Sequence, residues 1–216
     1  MTGRPLRKMR GLDFVERMLS GERMFSGIEL EERFDLTACD RFPELQSYLK
    51  LQPFNGNPIV LSQSRLIGLK AIGLNLPYLE ADDTVLKDAN LRDCQLMWSN
   101  FWNANLSNVN FGHANLDHAN LEESILESAY LGGANLADAK LGNARLRFAS
   151  FEHTDVLRAD FKHVNFREAD LRKSIHLNTA ENLGLASYDR TVVSTYEKTI
   201  IEKELARRNL FVVLDG

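Results

Sequence analysis

From Leu61 onward every fifth residue is apolar, until the frame reaches His176. The 24 positions of this frame include Leu61, Ala81, Leu86, Leu91, Phe101, Leu121, Leu141, Phe161 and Leu171. The residue two places before each is nearly always small or aliphatic, and the one between is mostly polar. A period of five is neither the helical 3.6 nor the strand period of two. Three extended residues send the outer two side chains to one side and the middle one to the other. The two remaining residues must turn the chain. Each unit is therefore a short side and a corner, with two side chains in and three out. One unit buries almost nothing, so units must stack into a continuous apolar column. No heptad survives this frame, which excludes a coiled coil.

The triplets Ala89-Asn90-Leu91, Ala104-Asn105-Leu106, Ala114-Asn115-Leu116, Ala119-Asn120-Leu121, Ala134-Asn135-Leu136 and Ala169-Asp170-Leu171 resemble those of the pentapeptide-repeat family. That pattern is Ala/Cys/Ser, Asp/Asn, Leu/Phe and two variable residues. The resemblance runs from Ile59 to about Ile175. It implies an all-β solenoid, a right-handed quadrilateral β-helix with four units to a coil. Residues twenty apart then stack, so one wall carries Leu61, Ala81, Phe101, Leu121, Leu141 and Phe161. Six coils spaced by about 4.8 Å give a rod of roughly 29 Å. Each buried Leu or Phe contributes about 1.5–3 kcal/mol before entropy is subtracted.

Three regions follow: an N-terminal cap (1–58), the β-helix (59–178) and a C-terminal cap with an apolar tail (179–216). Leu12, Val15, Met18 and Leu19 lie on one side of an expected helix over 12–20. Phe25 and Leu30, with Leu36 after a one-residue slip, mark an imperfect first coil. A helix followed by Gly21-Glu22-Arg23-Met24-Phe25-Ser26-Gly27 is similar to the N-terminal regions of cyanobacterial pentapeptide proteins. Residues 37–58 break the frame; a short helix from Phe42 should pack Leu45, Leu49 and Phe54 on the open end of the stack. At the other end the column is expected to stop at His176. Ser194-Thr195-Tyr196-Glu197 fits a capping box. The helix it opens, to about Arg208, should turn Tyr196, Ile200, Ile201 and Leu205 onto the last coil.

Charge and composition narrow the class. The chain carries 26 Lys and Arg against 30 Asp and Glu, ordinary for a folded soluble protein. No apolar run approaches the ~20 residues of a membrane span. Met1–Arg10 is basic without an apolar core behind it, so a cytoplasmic protein is expected. The two cysteines support neither a disulfide framework nor a zinc site, and Cys94 occupies an inward small-residue slot. Between Glu80 and Asp138 ten acids face only Lys87 and Arg92, whereas Lys140–Lys173 holds eight bases and five acids. An acidic middle favours an oriented partner.

Candidate chemistry is sparse. No Gly-rich phosphate loop, nucleophile elbow or His-Glu-x-x-His pattern occurs, and a filled rod offers no interior pocket. The expectation is a non-enzyme without cofactor or metal. His113, His118, His153 and His163 fall on outward corners; His113 and His153 share a column but lie roughly 10 Å apart, too far for one ion. The outward Asn and Asp residues are expected to bond to backbone and to stack in columns. Tyr78, Met97, Trp98 and Trp102 form a candidate interaction patch, although residues 37–58 are expected to fold over the two tryptophans. Leu210, Phe211, Val212, Val213 and Leu214 form a candidate homodimer contact, since β-prone edges pair with other chains. The expected function is a structural or protein-interaction module with an unknown protein partner and no direct nucleic-acid or membrane binding. Resemblance to the quinolone-resistance members implies an alternative, an acidic DNA mimic that binds DNA gyrase.

Overall fold

The computed structural model describes residues 5–207. Its centre is a four-sided parallel coil. Backbone bridges join residues twenty apart without interruption from Val60↔Glu80 to Asp155↔Ile175. Each apolar centre donates its N–H to the next coil, as Leu86 does to Asn105 O at 2.8 Å. The mid-side residue donates to the coil before, as Asn90 does to Leu69 O at 2.8 Å. At each corner the turn closes with a bond such as Ala89 N to Leu86 O, 3.1 Å. The second corner residue has positive φ (Trp98 62°, His118 57°, Glu123 60°), as type II turns require at that place.

The walls are named by their mid-side residues. Wall 1 holds Met24, Val60, Glu80, Asn100, Asn120, Lys140, Asp160 and Glu181. Wall 2 runs from Glu29 to Ser187, wall 3 from Asp35 to Val192, and wall 4 from Asn75 to Ile175. Leu106, Leu126 and Leu146 are fully buried, as are Phe101, Leu121, Leu141 and Phe161. Phe151, Phe161 and Phe166 meet edge to face, with centroids 5.0–6.5 Å apart. The interior void beneath the N-terminal cap is only about 20 Å³.

The first coil is the imperfect one. Met24, Glu29 and Asp35 pair with Val60, Arg65 and Lys70, and residues 37–58 loop out where a fourth side would stand. Strand β1 (Arg7–Met9) adds a further parallel rung on β2 (Ile28–Leu30). Helix α1 (Gly11–Leu19) buries Gly11, Phe14, Val15 and Met18 and leaves Leu12 exposed. This differs from the expected face because the Phe14 ring packs edge-on against Phe25 at 4.7 Å, rotating the helix. Gly11 permits this seat, since a Cβ there would stand 2.0 Å from the Phe34 ring. Helix α2 (Phe42–Lys50) buries Leu45 and Leu49, and Asn75 Nδ2 donates to Leu49 O at 3.1 Å, so α2 substitutes for the missing start of wall 4.

The stack continues past residue 178. His176 turns outward with φ 59°, and Leu177 takes the inward place. Six-residue sides then carry Glu181 and Ser187 onto Asp160 and Asn165, and Val192 closes on Asp170. The column thus ends near Val193, not at His176: one inserted residue in each of two sides, then a return to five, keeps Leu177, Leu183 and Tyr188 inside. Helix α3 (Thr195–Arg207) covers this last coil with Ile201 and Leu205. Tyr196, expected inside, is exposed, and Glu197 is buried in its stead. Its carboxylate accepts from Lys173 N (3.0 Å), Ser194 N (2.9 Å) and the Ser194 hydroxyl, so the capping box also ties α3 to the coil beneath.

Candidate interaction surface

The four patch residues lie on wall 1 and its corners. Tyr78 and Trp98 are second residues of one corner, with Met97 beside Trp98; Trp102 opens the corner at the other edge of the same wall. Residues 37–58 do not cover them, contrary to expectation. Trp98 is 51% exposed and Trp102 38%, because α2 is committed to wall 4 and the N-terminal end.

Their surroundings form two columns. Along the first corner, the Tyr78 and Trp98 rings are parallel within 11° at 6.5 Å, and the His118 ring stacks on Trp98 at 3.9 Å. His118 Nδ1 lies 2.9 Å from Asp117 Oδ1. One coil further, Asp138 receives two bonds from Arg158, at 2.7 and 2.5 Å. Those bonds hold the Asp138 carboxyl below the usual range and raise Arg158. The column therefore reads Tyr78, Trp98, His118, Asp138, Arg158, a twenty-residue stride visible in the sequence but unused in choosing His118. Along the second corner, Trp102 falls between Asp82 and Glu122. Between the columns Asn100 Nδ2 donates to Glu80 (3.0 Å) and Asn120 Nδ2 to Asn100 (3.2 Å), the expected mid-side ladder.

Asp117, His118 and Asp138 place one ligand atom each within 4.8 Å of one another. Both Asp138 oxygens already accept from Arg158, and His118 is stacked and bonded, so the trio closes on itself. Asn100, Asn115, Asn120 and Asn135 each accept from the backbone N–H two residues on, which holds their carboxamides to the turns. Cys94 is buried; desolvation pushes its thiol up to about 12, and Sγ lies 2.8 Å from Ala71 O. A surface groove of about 360 Å³ is lined by Lys8, Arg10 and Asp13 together with Glu29–Glu32, at the C-terminal ends of the paired β1 and β2. Asp13 is bonded there to Arg10 at 2.9 Å. The segment Leu210–Leu214 lies outside the described residues.

A family model described as pentapeptide repeats (8 copies) matches residues 104–143 and 139–175, together one third of the chain. Residues 104–175 carry the repeats of that family. The fold of the chain is the right-handed quadrilateral β-helix. The full-length structure of QnrB1, a plasmid-mediated fluoroquinolone resistance protein, is similar over 84% of this chain and 82% of its own, at 14% identity and a TM-score of 0.61. A pentapeptide repeat protein of the Arabidopsis thaliana thylakoid lumen aligns with 62% of this chain and 84% of its own, at 22% identity and a TM-score of 0.36. HetL of the cyanobacterium Nostoc sp. strain PCC 7120, involved in heterocyst differentiation regulation, aligns over 86% and 97% at 17% identity and a TM-score of 0.26. No curated protein sequence matches the chain. Among the described residues no helix is long and apolar enough to cross a membrane.

Proposed function

We propose that this pentapeptide-repeat chain is a non-enzymatic interaction module, and that wall 1 between residues 77 and 123 is the surface that engages a protein partner. One observation carries this: two half-exposed tryptophans flank one flat wall whose interior is filled, mostly by hydrocarbon side chains. Exposed aromatic groups of this kind supply most of the affinity in protein interfaces, with tryptophan enriched among residues whose loss costs 2 kcal/mol or more. The sealed core leaves chemistry to the outer skin. The test is affinity capture from the native host, comparing the wild type with a Trp98→Ala/Trp102→Ala double variant of unchanged circular dichroism. The expected result is a partner captured by the first and lost from the second. An identical set of captured proteins would remove wall 1 from consideration.

A second reading, a DNA mimic acting on gyrase, draws support from the acidic middle of the rod. Basic residues near its C-terminal end weigh against it. A supercoiling assay decides: absence of inhibition, together with absence of protection from a quinolone, ends that reading.

A further inference from the structure

The charge pattern of wall 1 carries the argument to the chemistry of its partner. Over three successive coils, the stretches 77–83, 97–103 and 117–123 contain six acids and neither lysine nor arginine. Among the described residues Glu80, Asp82, Asp83, Glu122 and Glu123 have no ion pair; Glu80 and Asp83 accept from the carboxamides of Asn100 and Asn103. The basic end of the rod behaves differently. Arg147, Arg158, Arg167, Arg172 and Lys173 all meet carboxylates within 2.5–2.7 Å. Five of the eight bases there are thus paired within the rod, Lys140, Arg145 and Lys162 being the others, while those carboxylates of wall 1, all before Lys140, face outward without cations among the described residues.

The tryptophans sit inside that negative field. Trp102 has Asp82 one coil before it and Glu122 one coil after, a step of about 4.8 Å in each direction. A cation placed over the indole would reach both carboxylates. Trp98 is steadied from one side by the His118 ring. An indole face attracts Arg or Lys, and more strongly where carboxylates flank it. Other occupants fit less well. An apolar partner would bury carboxylates without counter-charges, which is costly, and nucleic-acid phosphates would be repelled.

Resting on wall 1 being the working surface, we infer that its occupant is an extended arginine- or lysine-bearing segment of a partner protein, laid across the wall with its cations over Trp102 and beside Trp98. A flat side between two corner columns suits an extended chain.

The probe is a fluorescein-labelled nona-arginine peptide, titrated with the full-length protein by anisotropy at low and physiological salt. Binding should weaken with salt. Trp102→Ala and Trp98→Ala leave net charge unchanged and should each weaken binding about 2- to 5-fold. Asp82→Asn/Glu122→Gln should weaken it more than Asp88→Asn/Glu127→Gln, a pair on the neighbouring corner with the same charge change. Indifference to both tryptophan changes, or equal loss from the two carboxylate pairs, would mean diffuse charge attraction and overturn the inference. A peptide with citrulline replacing arginine should not bind. If it binds as tightly, and in a Trp102-dependent way, the wall remains an interaction surface but the cationic occupant is wrong. Capture from the native host reports on the wall itself, independently of the peptide.

Discussion

Two leucines 36 residues apart test the five-residue frame directly. Leu121 is a centre, fully buried, with Phe101 and Leu141 in the coils on either side. Leu157 comes one place after the centre Val156 and is only half-buried at a corner. Leu121→Ala leaves a hole in a column that cannot close, because the wall backbone is pinned by bonds such as Leu121 N to Lys140 O at 2.7 Å. The cost should be about 2–5 kcal/mol. Leu157→Ala removes a side chain already half in water and should stay within about 1 kcal/mol. In urea, with a slope of about 3 kcal/mol/M, the first change lowers the midpoint by about 1 M and the second by about 0.3 M or less. Circular dichroism and tryptophan emission should be followed together, since stacked repeats lose cooperativity when one interface fails. Equal shifts for the two variants, or a larger one for Leu157, would refute the assignment of inward positions.

Further outcomes follow from particular contacts. Cys94, buried and with its thiol raised, should resist a disulfide reagent at pH 8 until the protein unfolds, whereas half-buried Cys39 should react first; simultaneous reaction in the native state would contradict the sealed core. Glu197→Ala removes the acceptor shared by Lys173 N and Ser194 and should cost about 1–3 kcal/mol in thermal or urea unfolding; an unchanged midpoint would show that α3 does not secure the last coil. Asp35, Asp138, Glu152 and Asp170 are held low mainly by bonds from Thr37, Arg158, Lys173 and Arg172. Depressed carboxyls contribute stability above their unfolded values near 4, lost as pH falls through the folded ones. Tm should therefore hold from pH 8 to 5 and drop below about pH 4, and a rise on acidification would reverse the sign. Trp98→Gly relieves a left-handed backbone and should leave stability within about 1 kcal/mol of the wild type while weakening partner capture; a large loss of stability would make Trp98 a structural residue.

The repeat was legible because every inward position repeats the same demand. Leu106, Leu126 and Leu146 had to be apolar, and the twenty-residue stride then followed from four sides per coil. The ends were less legible for a physical reason. Leu177 enters through a left-handed His176, and the six-residue steps to Glu181 and Ser187 hide the last coil from a strict five-residue frame. Likewise β1 is only three residues long, too short to show a period. The buried place of Glu197 was hidden by polarity, though the Ser194–Glu197 spacing announced its bond to the helix start. The patch was half legible. Trp98 and Trp102 stood out as aromatic residues on corners, but their exposure depended on where α2 docks, which rests on contacts such as Asn75 to Leu49.

Corners explain why this fold can carry a specific surface without changing its core. The second corner residue lies in left-handed backbone whatever its identity, at about 1–2 kcal/mol for a side chain other than glycine. Gly68, Gly73 and Gly133 occupy such places without that cost. Tyr78 and Trp98 are among the least suited residues there, since a bulky aromatic gains nothing from left-handed backbone. Their compensation comes from the column: the parallel Tyr78 ring and the His118 ring at 3.9 Å offset strain with stacking, because a twenty-residue stride brings one corner directly above the next. The same stacking leaves the outer edge of Trp98 in water, where it contributes nothing to folding. A strained, half-exposed aromatic column beside carboxylates that lack cations is a costly way to build a corner, and it is accounted for when a partner covers it.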